Sequence, residues 1–183
     1  MVGYAGGTSK DPTYRNIGDH SETIQIQFDP NQIAYKDLLH VFWRSHSPTR
    51  EQWSRQYMSI IFYHNEEQKR LAIETRDNLE AELQTTVFTE IVPATTFYQA
   101  ENYHQKYYLQ QIPKLAREYT SIYPDFNDFI NSTAVARANG YAGGYGTADT
   151  LQDELKSLGL SPEGESIVLE IAEHGLISAC PVP

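Results

Sequence analysis

Glu22-Thr23-Ile24-Gln25-Ile26-Gln27-Phe28 alternates strictly. A period of two marks a half-buried strand, with Ile24, Ile26 and Phe28 on one face and Thr23, Gln25 and Gln27 on the other. By the same parity Glu22 falls on the apolar face. A carboxylate there must be paired, have a raised pKa, or escape to solvent from the strand end. The period then changes. Over residues 35–45, Leu38, Leu39, Phe42 and Trp43 make the stripe of an amphipathic helix. A strand feeding a helix in this way predicts a chain of mixed class.

Outward from this pair the pattern continues. Residues 57–63 are a β-rich run. Asn65, with Gln68 three residues on, has the form of a capping box opening a helix over about 66–84, with Leu71, Leu79 and Leu83 on its apolar face and Ile73 alongside. Residues 86–92 predict a strand stopped by Pro93, and Ala100–Gln111 a Tyr-rich helix disturbed by Pro113. Residues 1–21 carry Gly3, Gly6, Gly7, Asp11-Pro12 and Gly18-Asp19, the chemistry of turns, so they read as loop. Beyond Pro124 three short helices are expected, over 126–138, 148–158 and 163–174, with a flexible Gly-rich loop at 140–146. The division is therefore a core over 1–124 and a helical extension over 125–183. Gly-Tyr-Ala-Gly-Gly occurs at both 3–7 and 140–144 without wider self-similarity.

Composition narrows the function. The chain has 183 residues, 40% hydrophobic and 21% charged, as in a globular domain. Twenty-four acidic against 14 basic residues leave a net charge of −10, which argues against a nucleic-acid backbone or an anionic membrane as partner. No apolar run reaches the ~18 residues of a transmembrane helix. No secretory signal is read, and a cytoplasmic location is expected. Cys180 is the single cysteine, which excludes an intramolecular disulfide or a CxxC pair.

The remaining candidates are few. The Gly-rich loops match neither GxGxxG nor a P-loop. His20, His40, His46, His64, His104 and His174 show no metal-ligand spacing, so solvated or locally hydrogen-bonded histidines are expected, with no metal and no cofactor. Glu22 reads either as a solvated strand end or as a proton donor at a pocket mouth. Tyr14 in its loop and Tyr57 at a strand start could each give a pocket an apolar wall and a hydroxyl. Tyr98, Tyr103, Tyr107 and Tyr108 read as packing residues. No basic neighbour or helix start lowers the pKa of Cys180, so it reads as an inert tail thiol.

Taken in order, Val2-Gly-Tyr-Ala-Gly-Gly7, Asp11-Pro-Thr-Tyr14, Gly18-Asp-His-Ser-Glu22, Phe28-Asp-Pro30, Phe42-Trp43, His46-Ser-Pro-Thr49, Arg55-Gln-Tyr57, Phe62-Tyr-His-Asn-Glu-Glu-Gln68 and Phe97-Tyr-Gln-Ala-Glu-Asn-Tyr-His-Gln105 resemble the A-type methionine sulfoxide reductases over roughly 2–112. The resemblance implies an α+β fold, a ferredoxin-like plait whose mixed sheet carries packed helices. It implies thiol-dependent reduction of methionine (S)-S-oxide in peptides, proteins and free methionine. A thiolate attacks sulfur, a carboxyl protonates the sulfoxide oxygen, and two tyrosine hydroxyls bind that oxygen. The sulfenic acid is cleared by a second thiol and then by thioredoxin. Carried over by motif, Glu22 is the proton donor and Tyr14 and Tyr57 are the oxygen-binding pair.

The chain departs from the family pattern in three places. The family's nucleophile lies in a Gly-Cys-Phe-Trp motif upstream of the first Gly-rich loop, and this chain opens at the loop. A first strand and its helix, roughly 30 residues, are expected to be missing. Gly140-Tyr141-Ala142-Gly143 has alanine where a recycling cysteine often stands, and Gln52 replaces an acid five residues before Tyr57. Cys180 could mimic a recycling thiol. Two accounts stay open: a late-starting chain of a genuine reductase, inactive as written, or a non-catalytic module that binds methionine sulfoxide.

Overall fold

The computed structural model describes residues 1–174. Cys180 lies outside the described residues. Contacts divide the chain into two compact units, one of Val2–Glu101 and the other of Asn102 onward with Met1.

The first unit is built on two small sheets. Strand β1 (Val2–Ala5) is the centre of a three-stranded antiparallel sheet, between β2 (Ser21–Ile24) and β5 (Tyr98–Gln99). Tyr4 stands opposite Glu22 on one side and Tyr98 on the other. The expected loop over 1–21 is therefore corrected at its start. Tyr4 and Ala5 are buried, and glycine suits this strand because a Cβ at Gly3 would collide with the Tyr98 carbonyl and the Phe97 ring. Strand β2 is also shorter than the alternation predicted. It ends at Ile24, and both Ile24 and Ile26 are exposed.

The second sheet pairs β3 (Ile60–Tyr63) with β4 (Glu90–Pro93) in parallel, Ile61 beside Ile91. The crossover between them contains α2 (Glu66–Leu83). Asn65 caps this helix, its side chain accepting from the Gln68 amide at 2.9 Å. The Gln68 side chain reaches one residue further back than a capping box requires and accepts from the His64 amide. Helix α1 (Tyr35–Arg44) packs on α2, and Leu39, Trp43, Ile61, Ala72 and Val87 form the core of this unit. The buried Trp43 indole N–H donates to Thr75 at 3.0 Å.

The second unit is helical. Helices α3 (Tyr107–Gln110), α4 (Pro113–Ile122), α5 (Phe126–Asn131), α6 (Thr133–Ala142), α7 (Ala148–Glu154) and α8 (Pro162–His174) enclose Leu109, Leu115, Tyr119, Phe129, Val135, Leu151 and Val168. Pro113 starts a helix rather than disturbing one, since the first helical position needs no N–H. The expected boundary at 124/125 falls inside this unit, where α4 and α5 share one core. The expected loop from Gly140 begins later, because α6 runs through Tyr141 and Ala142, both buried. The same pentapeptide is thus strand at its first occurrence and helix end at its second. No helix among the described residues is long and apolar enough to cross a membrane.

Candidate functional site

The loop between β1 and β2 is braced before it carries any chemistry. Asp19 receives the Thr8 and Ser9 amides and both of their hydroxyls, at 2.6–3.0 Å. These donors hold its carboxyl well below the usual range. His20 is fully buried. Its Nδ1 accepts from the Gly7 amide at 3.1 Å, which leaves Nε2–H to donate to the Ser9 carbonyl at 2.8 Å. Within this braced loop Thr13 and Asn16 close a tight turn through reciprocal backbone bonds, and Tyr14 sits at the turn's first central position.

Tyr57 comes from the other side of the unit. It ends a single 3-10 turn, Arg55–Tyr57, just ahead of β3. That turn is tied down at both ends of its first residue. The Arg55 guanidinium donates to both oxygens of Glu90 at 2.8 Å, and the Arg55 carbonyl accepts from the Ser21 hydroxyl at 2.6 Å. Ser21 precedes Glu22, so the turn is fixed against the strand that carries the carboxylate.

The structure brings Tyr14, Tyr57 and Glu22 together. Tyr57 is held above the usual phenol range, first by partial desolvation, then by Tyr14 and Glu22 as neighbours and by a hydrogen bond with the Tyr14 side chain. Both phenols are about half exposed. Glu22 accepts from the Gln56 side-chain amide at 2.7 Å. Glu22 is exposed, as are Ile24 and Ile26, whereas Ser21 and Thr23 of the other parity are the more buried, so the expected apolar face is not the buried one. Residues of both parities, Glu22 through Ile26, line an open groove of about 470 Å³ that continues to Phe42, Ile60 and Phe62. Strand β2 is the outer strand of one sheet and β3 of the other, and among the described residues neither pairs across the groove. His46 also lines it. Its Nδ1 is bonded to the Phe42 carbonyl, while its Nε2 is buried with no hydrogen-bond partner among the described residues.

Gln56, Arg55 and Glu101 around these three residues carried no sequence expectation. Gln56 and Arg55 lay in the Arg55-Gln-Tyr57 motif, yet only the tyrosine had a chemical reason to be singled out. Among the described residues no group of three His, Asp or Glu side chains could hold a metal ion.

The family model for peptide methionine sulfoxide reductase matches residues 1–147. A peptide methionine sulfoxide reductase of Drosophila melanogaster is 40% identical over 167 residues, covering 88% of this chain and 65% of the relative. A peptide methionine sulfoxide reductase MsrA of Methanosarcina acetivorans is 43% identical over 118 residues, 58% of this chain and 63% of the relative. The chain thus spans just under two thirds of the length of these relatives. The crystal structure of Mxr1 from Saccharomyces cerevisiae in reduced form superposes with a TM-score of 0.56 at 27% identity, over 62% of this chain and 70% of that one. With a family match over residues 1–147 and an α+β fold shared with a solved relative, the chain belongs to the peptide methionine sulfoxide reductase family.

Proposed function

We propose that Tyr14, Tyr57 and Glu22 form the oxygen-binding side of a methionine (S)-sulfoxide site. The observation that carries this reading is the meeting of two phenols and a carboxylate from three separate segments of one unit. A sulfoxide oxygen is a strong acceptor, and two hydroxyls offer it hydrogen bonds. Transfer of that oxygen to an attacking sulfur needs a proton, and supplying it is the role assigned to Glu22. The groove beside Glu22 offers apolar walls for the methionine side chain.

The reaction needs a thiolate to attack sulfur, and Cys180, the single cysteine, lies outside the described residues. In the family pattern the thiolate stands in a Gly-Cys-Phe-Trp segment, and thioredoxin is the reductant that clears the oxidised thiol. A second reading has this chain bind methionine sulfoxide without reducing it.

Fusing an upstream strand and helix bearing Gly-Cys-Phe-Trp separates the two. The reductase reading expects turnover of a methionine (S)-sulfoxide peptide with dithiothreitol, and a loss of ~10²–10⁴-fold on Glu22→Gln. Binding of the peptide without turnover supports the second reading. Neither binding nor turnover overturns both.

A further inference from the structure

We infer that Glu101 is a positioning residue that sets Tyr14 over the site. This deepens the sulfoxide-site reading and rests on it for its functional meaning. Glu101 divides its two oxygens between two unlike partners. Oε2 accepts from the hydroxyl of Tyr4 at 2.7 Å, and Oε1 accepts from the backbone amide of Tyr14 at 3.0 Å. Tyr4 is 2% exposed, in the central strand, and stands directly opposite Glu22. It is a fixed point of the fold. Tyr14 is 43% exposed and sits on a turn at the tip of a loop. That turn's own two backbone bonds use the Thr13 and Asn16 amides, not that of Tyr14. A carboxylate oxygen is a stronger acceptor for the Tyr14 amide than a neutral carbonyl.

The contacts close a ring. Glu22 neighbours Tyr57, Tyr57 neighbours Tyr14, the Tyr14 amide is bonded to Glu101, Glu101 is bonded to Tyr4, and Tyr4 pairs across the sheet with Glu22. Asp19 and His20 brace the loop near its root, at Gly7, Thr8 and Ser9, whereas Glu101 acts at the tip. Two oxygen-binding phenols are useful only if their hydroxyls are held at a set separation before substrate arrives. On the Tyr57 side Arg55 performs that function through Glu90. On the Tyr14 side it falls to Glu101.

The test compares Glu101→Ala, Glu101→Gln and Glu101→Asp in the full chain. Gln keeps an acceptor for the Tyr14 amide and a polar partner for Tyr4. Asp is one methylene too short to span both partners while preserving the side-chain class, so it serves if Ala does not fold. The primary readout is the titration of Tyr57 by NMR of ring-labelled tyrosine, assigned with Tyr57→Phe. The expected result is that Ala and Asp bring the Tyr57 midpoint down toward that of a free tyrosine, as Tyr14→Phe does, while Gln retains it. The second readout is binding of a methionine (S)-sulfoxide tripeptide. Ala is expected to weaken it about tenfold, as is typical for loss of one positioned hydrogen bond, with no further loss when combined with Tyr14→Phe. An unchanged Tyr57 midpoint in a folded Ala or Asp variant overturns the proposal. A shifted midpoint in a protein that never binds the tripeptide upholds the positioning role and overturns the sulfoxide reading instead.

Discussion

The side-chain amide of Gln56 donates to the Glu22 carboxylate at 2.7 Å, linking residues 34 positions apart. Gln56 is the middle residue of the turn that ends in Tyr57, so one turn supplies both a phenol to the site and a neutral donor to its carboxylate.

A first prediction follows from that geometry. The negative charge of Glu22 raises the Tyr57 pKa, because it disfavours a second anion nearby. Glu22→Gln is therefore expected to lower the Tyr57 midpoint toward the ordinary value near 10. Gln56→Ala should leave the midpoint raised, since the charge remains. Tyrosine NMR across pH 8–12 checks both (a range of about two units either side of the ordinary value), and a midpoint indifferent to Glu22→Gln would separate Glu22 from the tyrosine pair.

Acid stability supplies the second. The Asp19 carboxyl is depressed in the folded chain by four donors from Thr8 and Ser9. A depressed carboxyl contributes stability above its unfolded value of about 4 and loses it as pH falls toward the folded value. Asp19→Asn should lower the melting temperature at pH 7. It should also flatten the decline in melting temperature below about pH 4, so that the variant and the parent converge in acid. Parallel curves at all pH values would mean that these bonds add nothing through ionisation.

The third concerns the helical layer of the first unit. Thr75 is buried, accepts from the Trp43 indole at 3.0 Å and passes its own proton to the carbonyls of Leu71 and Ala72. Thr75→Val keeps the shape and orphans the indole N–H, for an expected loss of ~1–3 kcal/mol in urea unfolding. Thr75→Ser should recover most of it. Equal losses for Val and Ser would point to the methyl group rather than the hydroxyl.

The central strand gives the fourth. Gly3→Ala places a methyl against the Tyr98 carbonyl and the Phe97 ring, on the β5 side of β1. Overpacking of this kind costs roughly 1–3 kcal/mol. Hydrogen exchange should show early opening at Tyr98 and Gln99, with the β3–β4 pair unaffected.

Local chemistry was legible where it depended on neighbours in the chain. The stripe through Leu39 and Trp43, the Asn65 cap and the helix it starts follow from side-chain spacing and from a side chain meeting an amide three residues on. The order of motifs pointed to the family for the same reason: each short motif stands on one local turn or strand end. The three residues of the proposed site were singled out by motif.

Long-range pairing decided the rest. Gly3-Tyr4-Ala5 has the composition of a loop, yet it is the middle strand of a sheet because β2 and β5 lie on both sides of it and the close approach of Phe97 and Tyr98 requires glycine. The same pentapeptide ends a helix at Gly140-Tyr141-Ala142, where a helical core buries Tyr141 and Ala142. Alternation grouped Glu22, Ile24 and Ile26 as the inward face, but in the folded unit these are exposed and Ser21 and Thr23 are the more buried, which no local pattern encodes. Tyr14 and Glu101 are 87 residues apart, and their bond exists only after β1 has paired with β5. The sequence alone therefore determined the family, the helices with strong local signals and the residue types of the site. Only the tertiary structure decided which loop became a strand, what Glu22 faced and which carboxylate holds Tyr14, because each of those rests on contacts between segments distant in the chain.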